Sequence, residues 1–209
     1  MVWIPSGTFQ MGDDVYPEGT FIEDLAVPIG SRHVIVCRSG RLSREGEEAS
    51  LRETLFRWRA VHDLPPEARL DGGDVIIAGE RLFVALTEFT NEEGVDFVER
   101  VAALERLEVL RIALNGDYRL RQIVSPLGEE TLIHLAGSAT REVFPRCELV
   151  AAPEAVGANV LAVNGVVLVP AEAPRTVALL ERRGHRVIPV PLSNFLDLGA
   201  GPTRLSVRV

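Results

Sequence analysis

The chain has 209 residues, of which 46% are hydrophobic, and a formal net charge of −8. This length suits a globular protein with a sizeable core, and no apolar run reaches the ~18 residues that a membrane-spanning helix needs. A negative net charge disfavours a nucleic-acid partner, because clustered Lys and Arg would bind its phosphates. All 22 basic residues are Arg, which excludes a Schiff-base lysine or a pyridoxal phosphate anchor.

The two cysteines, Cys37 and Cys147, are far apart, and neither belongs to a Cys-x-x-Cys pair. The sequence therefore predicts two reduced, buried thiols and neither a disulfide framework nor a zinc knuckle. We expect no metal and no cofactor. A basic, apolar and small-residue leader is not found, so we also expect a cytoplasmic protein.

A unit of two short strands, an amphipathic helix and a third strand recurs along the chain. The first copy has strands at about 24–27 and 34–37 and a helix over about 44–61, with Ser43 as the N-cap candidate. The second copy has strands at 74–78, 82–86 and 108–113 around a helix over about 91–106.

The clearest copy follows later in the chain. Its hairpin turn is Asn164-Gly165, and its elements are strands at 158–163, 166–169 and 187–190 and a helix over about 173–183. A compressed copy lies between 120 and 150, and a last strand candidate covers 204–209. Since each unit needs a neighbour to bury its sheet, the repeats predict a radial arrangement of α/β units around a central channel.

Polar residues stand at the strand ends that would surround this channel. They are Glu18, Glu23, Asp24, Asp71, Asp74, His134 and Asn159. Inward-facing carboxylates would bind a planar cation, because a guanidinium offers a fork of donors that matches carboxylate geometry. The pattern thus predicts a site for a small guanidine-type ligand. The alternative is that each acid hydrogen-bonds within its own turn.

The motif Leu70-Asp71-Gly72-Gly73-Asp74-Val75 leads into an apolar strand and carries two of these acids. His134 lies in another apolar strand, where a histidine is commonly a satisfied core residue. Beside a carboxylate such as Asp71, however, a neutral imidazole can move protons near neutral pH. Both interpretations of His134 remain open from the sequence.

Several motifs occur in the order and rough spacing of dimethylarginine dimethylaminohydrolases, and the chain resembles this family from Tyr16 to Val209. The motifs are Tyr16-Pro17-Glu18-Gly19-Thr20-Phe21-Ile22-Glu23-Asp24, the Leu70 to Val75 motif, Thr90-Asn91-x-x-Gly94, Ile133-His134-Leu135, Gly157-Ala158-Asn159-Val160-Leu161, and Gly184-His185-Arg186-Val187 leading to Pro191-Leu192-Ser193.

The resemblance implies one domain over 1–209, with 1–15 poorly matched, in the guanidino-group-modifying, or pentein, superfamily. Its fold is a five-bladed α/β propeller of repeated ββαβ units. The family carries an N-terminal strand and helix for which this chain has too few residues. We therefore expect the first unit to be truncated.

The family reaction, as the resemblance implies it, is attack of a cysteine thiolate on the guanidinium carbon, loss of an amine and release of citrulline by water. The resemblance assigns guanidinium binding to Glu23 and Asp24, and it makes Glu18 a substrate-binding residue at a position where the family usually has Asp. It assigns the acid/base role to His134, accompanied by Asp71.

Two further positions match substrate-binding residues of the family, namely Phe21 along the substrate and Arg44 on its carboxylate. Two other positions depart from the pattern. The family's terminal strand opens Thr-Cys, whereas here Thr203 precedes Arg204, so the nucleophile is missing. The family's Arg-Thr-Asn begins with Phe89, which removes another cation for the substrate carboxylate.

We therefore expect a divergent relative without the family activity that keeps an acidic pocket. The alternatives are a hydrolase of a guanidine or amidine C–N bond, using water activated by His134 and Asp71, and a non-catalytic binding or scaffold protein. The guanidinium of Arg204 should pair with Glu23, Asp24 or Asp71, unless the side chain turns to solvent. A homodimer is compatible with the sequence, which carries no direct signal for it.

Overall fold

The computed structural model describes residues 21–38, 44, 46–114, 118–196 and 199–207. The site candidate Glu18, the N-cap candidate Ser43 and the poorly matched residues 1–15 lie outside the described residues. Within the described ranges the strands form four three-stranded sheets. Each sheet pairs its first two strands antiparallel and its second and third strands parallel.

Unit 1 comprises β1 (Ala26–Ile29), β2 (His33–Val36), α1 (Glu48–Leu55) and β3 (Ala60–Asp63). The helix predicted over 44–61 is shorter than expected, because the chain leaves the helix at Leu55 and returns as β3. Parallel pairing with β2 satisfies the backbone of this return strand and overrides the helical pattern of its sequence.

Unit 2 comprises β4 (Val75–Ala78), β5 (Arg81–Leu86), α2 (Glu92–Ala103) and β6 (Glu108–Ala113). Helix α2 starts where the sequence predicts, because the Asn91 side chain accepts a hydrogen bond from the Gly94 backbone at 3.0 Å. Its buried stripe includes Val95, Val98 and Val101. Full burial of one such side chain stabilises the fold by about 1.5–3 kcal/mol.

Unit 3 begins with the short helix α3 (Leu120–Ile123) and contains β7 (Val124–Pro126), β8 (Thr131–Leu135) and β9 (Glu148–Ala152). Turns replace a helix between β8 and β9, which explains why this copy is hard to recognise in the sequence. Phe144, in these turns, fills the core with its ring centroid 5.1 Å from that of Phe83.

Unit 4 comprises β10 (Leu161–Val163), β11 (Val166–Pro170), α4 (Pro174–Arg182) and β12 (Val187–Val190), and α5 (Ser193–Leu196) follows it. The predicted hairpin turn is present. Asn164 and Gly165 have φ angles of +50° and +75°, as a two-residue type I′ turn requires.

The hydrophobic core lies between neighbouring units. Ile35 of unit 1 packs with Leu82 of unit 2, Phe83 of unit 2 packs in a second cluster that includes unit 3, and Ile133 of unit 3 packs with Val167 of unit 4. Each sheet therefore buries its apolar side chains against the next unit, as the repeat pattern predicts. No helix in the described part of the chain is long and apolar enough to cross a membrane.

The last described segment, 201–207, contains turns where the sequence predicts a strand over 204–209. That prediction is wrong for the described residues 204–207, because none of the described strands pairs with them. Val207 packs instead on the face of unit 1 formed by Ala26, Val36 and Leu55. The described residues thus build four of the five units expected of the propeller.

Candidate functional site

Two short 3-10 turns, Ile22–Leu25 and Gly72–Asp74, lie directly before β1 and β4 and carry the site's acids. They pack closely because Gly72 has no side chain, since a Cβ there would lie 2.1 Å from the Glu23 carbonyl oxygen. Four acids come together in consequence. Glu23, Asp24, Asp71 and Asp74 are all fully buried.

Asp24 is the centre of this acidic group. Its Oδ2 atom lies 2.7 Å from Arg44 Nη1, 2.7 Å from Arg119 Nη1 and 3.0 Å from Arg204 Nη2. Burial alone would raise the pKa of Asp24, but Arg119, Arg204 and Arg44 outweigh burial and hold that pKa below its ordinary value. The carboxylate therefore remains ionised at neutral pH.

Arg204 makes the contact that the sequence predicts for it. Besides the ion pair with Asp24, its guanidinium carbon lies 3.9 Å from the centroid of the Phe21 ring, and the residue is 4% exposed. The alternative of an Arg204 turned to solvent is not observed. Phe21, expected along a substrate, lies along this guanidinium instead.

Asn159 fixes the segment that carries Arg204. Its Oδ1 accepts hydrogen bonds from the backbone N–H of Thr203 at 3.2 Å and from the Thr203 hydroxyl at 3.1 Å. Gly201 makes this approach possible, because a Cβ there would lie 2.3 Å from Asn159 Oδ1. Asn159 thus contributes to the site by holding Thr203, the residue that precedes Arg204.

Arg44, which the resemblance assigns to a substrate carboxylate, points to acceptors of the protein itself. Its Nη2 donates to Glu47 Oε2 at 2.6 Å and to the Phe21 carbonyl at 3.0 Å, in addition to the pair with Asp24. The residue is 2% exposed. In this arrangement its guanidinium stabilises the turn around Asp24 and is not presented to a ligand.

Arg119 is a site residue that the sequence analysis missed. Its Nη2 lies 3.1 Å from Asp71 Oδ2, so this side chain contacts both Asp24 and Asp71. Its guanidinium carbon is 5.0 Å from the centroid of the Phe89 ring. Arg119 precedes α3 in the compressed unit, where no clear periodicity marked the local structure.

Glu23 forms a second buried ion pair, with Arg121 Nη1 2.9 Å from its Oε1. Burial raises the pKa of Glu23 to about 7, although Arg121 lowers it and Asp24 raises it further. Arg121 is held in place by a 2.6 Å hydrogen bond from its Nε to the Val75 carbonyl. Glu23 is therefore the acid of this group that titrates near neutral pH.

Asp74 is bound within its own unit. Its Oδ2 accepts hydrogen bonds from the hydroxyls of Thr87 at 2.6 Å and Thr90 at 2.7 Å. Burial raises the pKa of Asp74, and these hydroxyls partly oppose the rise. The residue thus joins the turn before β4 to the segment that follows β5.

The predicted partners His134 and Asp71 do not meet in this arrangement. His134 Nδ1 lies 2.7 Å from the Leu135 carbonyl oxygen, and Asp71 Oδ1 accepts a hydrogen bond from the Gly73 backbone at 2.9 Å. No hydrogen bond or ion pair joins these two described side chains. The contact of His134 with this carbonyl matches the interpretation of His134 as a satisfied strand residue. Arg119 lies beside Asp71, where the resemblance leads us to expect His134.

Both cysteines of the chain lie among the described residues. Cys37 and Cys147 are free and buried, as the sequence predicts. Burial raises the pKa of Cys37 well above its usual range, and Asp71 and Asp24 add to the rise. Burial also raises the pKa of Cys147, against the opposing effect of Arg81. The described ranges contain no group of three His, Cys, Asp or Glu residues placed to hold a metal ion.

Comparison with known sequences reveals relatives over most of the chain, although no family model matches it. An N(G),N(G)-dimethylarginine dimethylaminohydrolase of Streptomyces coelicolor is 32% identical over 201 residues, covering 94% of this chain and 76% of that protein. An uncharacterized protein of Aeropyrum pernix is 34% identical over 202 residues, covering 93% of this chain and 74% of that protein.

Comparison with solved structures gives the same relationship. The dimethylarginine dimethylaminohydrolase of Pseudomonas aeruginosa, solved as a mutant complexed with citrulline, matches with a TM-score of 0.87 at 25% identity, over 94% of this chain and 78% of that chain. The N-terminal domain of the cyanobacterial arginine dihydrolase ArgZ matches with a TM-score of 0.78 at 20% identity, over 94% and 77% of the two chains, which shows the shared fold.

Proposed function

This chain belongs to the dimethylarginine dimethylaminohydrolase family, and we propose that it is a member without the family's hydrolase activity, whose guanidinium site is closed by its own side chains. The observation that carries the proposal is the position of Arg204. It follows Thr203, where the resemblance leads us to expect the cysteine nucleophile, and its guanidinium contacts Asp24 at 3.0 Å. The acid that would hold a substrate guanidinium is thus engaged by the protein.

Loss of the nucleophile weighs heavily in a covalent mechanism. Removing the attacking group of such a mechanism typically costs several orders of magnitude in rate. Cys37 is near the acids, but the raised pKa of its thiol keeps it protonated. The hydroxyls of Thr203 and Ser206 are poor substitutes, because a hydroxyl needs stronger activation than a thiol and a guanidinium is a weak electrophile.

A hydrolase that uses water activated by His134 and Asp71 is the competing proposal. It requires the imidazole and the carboxylate to come together, whereas Asp71 pairs with Arg119 and His134 with a backbone carbonyl. It also requires a guanidine-type ligand to reach Asp24, which three guanidiniums already contact. These contacts favour the non-catalytic proposal. We propose a cytoplasmic protein that acts through binding or as a scaffold.

A product assay tests the proposal directly. The purified protein is incubated with arginine, methylated arginines and agmatine, with an active dimethylarginine dimethylaminohydrolase as positive control, and citrulline or another ureido product is measured. We expect no product above the background without protein. Turnover of any of these compounds would overturn the proposal, and His134→Ala would then show whether the water mechanism operates, since an unchanged rate would exclude it.

A further inference from the structure

We infer that Asp24 and Asp71 together form the guanidinium-binding site of this protein and that Arg119 is its resident ligand. The inference rests on the proposed function, since it identifies which side chain closes the site. It also makes a claim beyond that function. A free guanidinium or methylguanidinium ion should bind between the two carboxylates once the Arg119 side chain is removed.

Arg119 is the guanidinium that spans two carboxylates of the site. Its two terminal nitrogens go to different acids, Nη1 to Asp24 Oδ2 at 2.7 Å and Nη2 to Asp71 Oδ2 at 3.1 Å. A guanidinium presents a planar fork of donors to carboxylates. Here Nη1 donates a hydrogen bond to Asp24, whereas Nη2 pairs with Asp71 by charge, since that buried nitrogen makes no hydrogen bond. The ring of Phe89, 5.0 Å from the guanidinium carbon, adds an aromatic face that also favours a planar cation.

Arg204 contacts one acid of the site, whereas Arg119 contacts two. Its Nη2 lies 3.0 Å from Asp24 Oδ2, and its Nη1 donates to the Gly199 carbonyl at 3.4 Å. Its segment carries two backbone hydrogen bonds near the residue, Arg204 to Gly201 and Ser206 to Thr203. Arg204 therefore covers the site from the Phe21 side, whereas Arg119 occupies the position between the acids.

A groove leads from solvent to the Arg119 side chain. It has a volume of about 400 Å³ and is lined by residues that include Thr87, Glu88, Phe89, Tyr118 and Arg119. Truncation of Arg119 would join this groove to the space beside Asp24 and Asp71. In the truncated variant a small planar cation would therefore reach the two carboxylates through this groove.

Chemical rescue of stability tests the inference. Arg119→Ala removes the cation that Asp71 shares with Asp24. The variant should therefore melt at a lower temperature than the unmodified protein. Guanidinium or methylguanidinium at millimolar concentration, compared with NaCl at equal ionic strength, should then raise its Tm by roughly 3–6 °C in a saturable manner, because the ion binds only the folded state. The Tm of the unmodified protein should not rise.

Two matched variants locate the effect. Arg204→Ala removes a guanidinium that contacts Asp24 alone among the acids and should gain much less than Arg119→Ala. Arg111→Ala removes a surface guanidinium and should gain nothing. An equal gain by Arg204→Ala, or no gain by Arg119→Ala, would overturn the assignment of Arg119 to the site.

A folding failure of Arg119→Ala does not prevent the test. Arg119→Gln keeps the aliphatic stem beside Phe89 and enters the same titration. A saturable rise in its Tm with guanidinium supports the inference, and the absence of a rise overturns it. The readout is independent of catalysis, so turnover in the product assay would refute the proposed function while the melting data still report on the site.

Discussion

The Asp24 site and the surface cluster around Arg111 have opposite arrangements of charge. Three guanidiniums converge on the carboxylate of Asp24, whereas three carboxylates converge on the guanidinium of Arg111. The partners of Arg111 are Glu92, Asp96 and Glu99, all from α2, at 2.5, 2.5 and 2.8 Å. Asp24 and Arg111 each make three ion pairs at similar distances, and the two clusters differ in burial and in the separation of their members along the chain.

Burial decides what each cluster contributes. The Asp24 side chain is 0% exposed, whereas the Arg111 side chain is 35% exposed and that of Glu92 is 63% exposed. Exposed ion pairs typically contribute about 0–1 kcal/mol, because water competes and side-chain entropy is lost. Removing one partner of a buried pair commonly costs about 3–5 kcal/mol, because the remaining charge is left without compensation. The number of ion pairs is thus a poor guide to their effect on stability.

The largest effect should come from Asp24→Asn. The variant leaves the guanidiniums of Arg44, Arg119 and Arg204 without the carboxylate that they share, and we expect the free energy of unfolding to fall by about 3–5 kcal/mol. Urea denaturation of the variant and the unmodified protein measures this difference. A loss below about 1 kcal/mol would mean that the Asp24 cluster contributes no more to stability than an exposed cluster, and it would contradict the expected effect of burial.

A second effect concerns pH and Glu23. Its pKa rises from 4.5 to about 7 in the folded state, so between these values the folded protein holds a proton that the unfolded chain has released. The stabilisation from this proton is fully present below about pH 4.5 and is lost as the pH rises through about 7. Relative to Glu23→Gln, which does not titrate, the unmodified protein should lose roughly 2–4 kcal/mol over this range.

Urea unfolding of both proteins at several pH values between 4.5 and 8 measures this difference. Asp24 has the opposite sign, because its lowered pKa makes it stabilising above its ordinary pKa and that contribution is lost in acid. It is present in both proteins and therefore cancels. A difference that stays constant between pH 5 and 8 would exclude the raised pKa of Glu23.

The smallest effect should come from Arg111→Gln. Its cluster is exposed, so we expect a loss of at most about 1 kcal/mol in low salt. In 1 M NaCl the Debye length is about 3 Å, and the loss should shrink further. The loss from Asp24→Asn should change much less with salt, because buried pairs are screened less. Equal salt sensitivity of the two variants would contradict the contrast drawn from burial.

The two clusters also differ in the separation of their members along the sequence. The acids around Arg111 lie 12, 15 and 19 residues from it, within one predicted helix and its following strand. The partners of Asp24 lie 20, 95 and 180 residues away. The pairing of Arg204 with an acid of the site was predicted, but only because matched motifs placed both residues at one pocket.

The amino-acid sequence by itself determined the repeating units, since local signals mark them. The Asn164-Gly165 turn, the Asn91 cap and the valine stripe of α2 depend on neighbouring residues, and the structure contains each of them. The grouping of acids follows from the same repeats, because equivalent turns precede the first strands of units 1 and 2. The reduced, buried state of Cys37 was likewise predictable from the cysteine spacing.

Only the tertiary structure decided that Arg44, Arg119 and Arg121 meet these acids. Arg119 and Arg121 stand in a unit without clear periodicity, and nothing local distinguishes them from surface arginines. Their roles depend on the close packing of the two acidic turns at Gly72, which brings residues from distant units within 3 Å of each other. The same long-range packing places Arg119 beside Asp71 and leaves 204–207 without a partner among the described strands. Local patterns carry no information on such contacts, because the contacts form only when the units assemble.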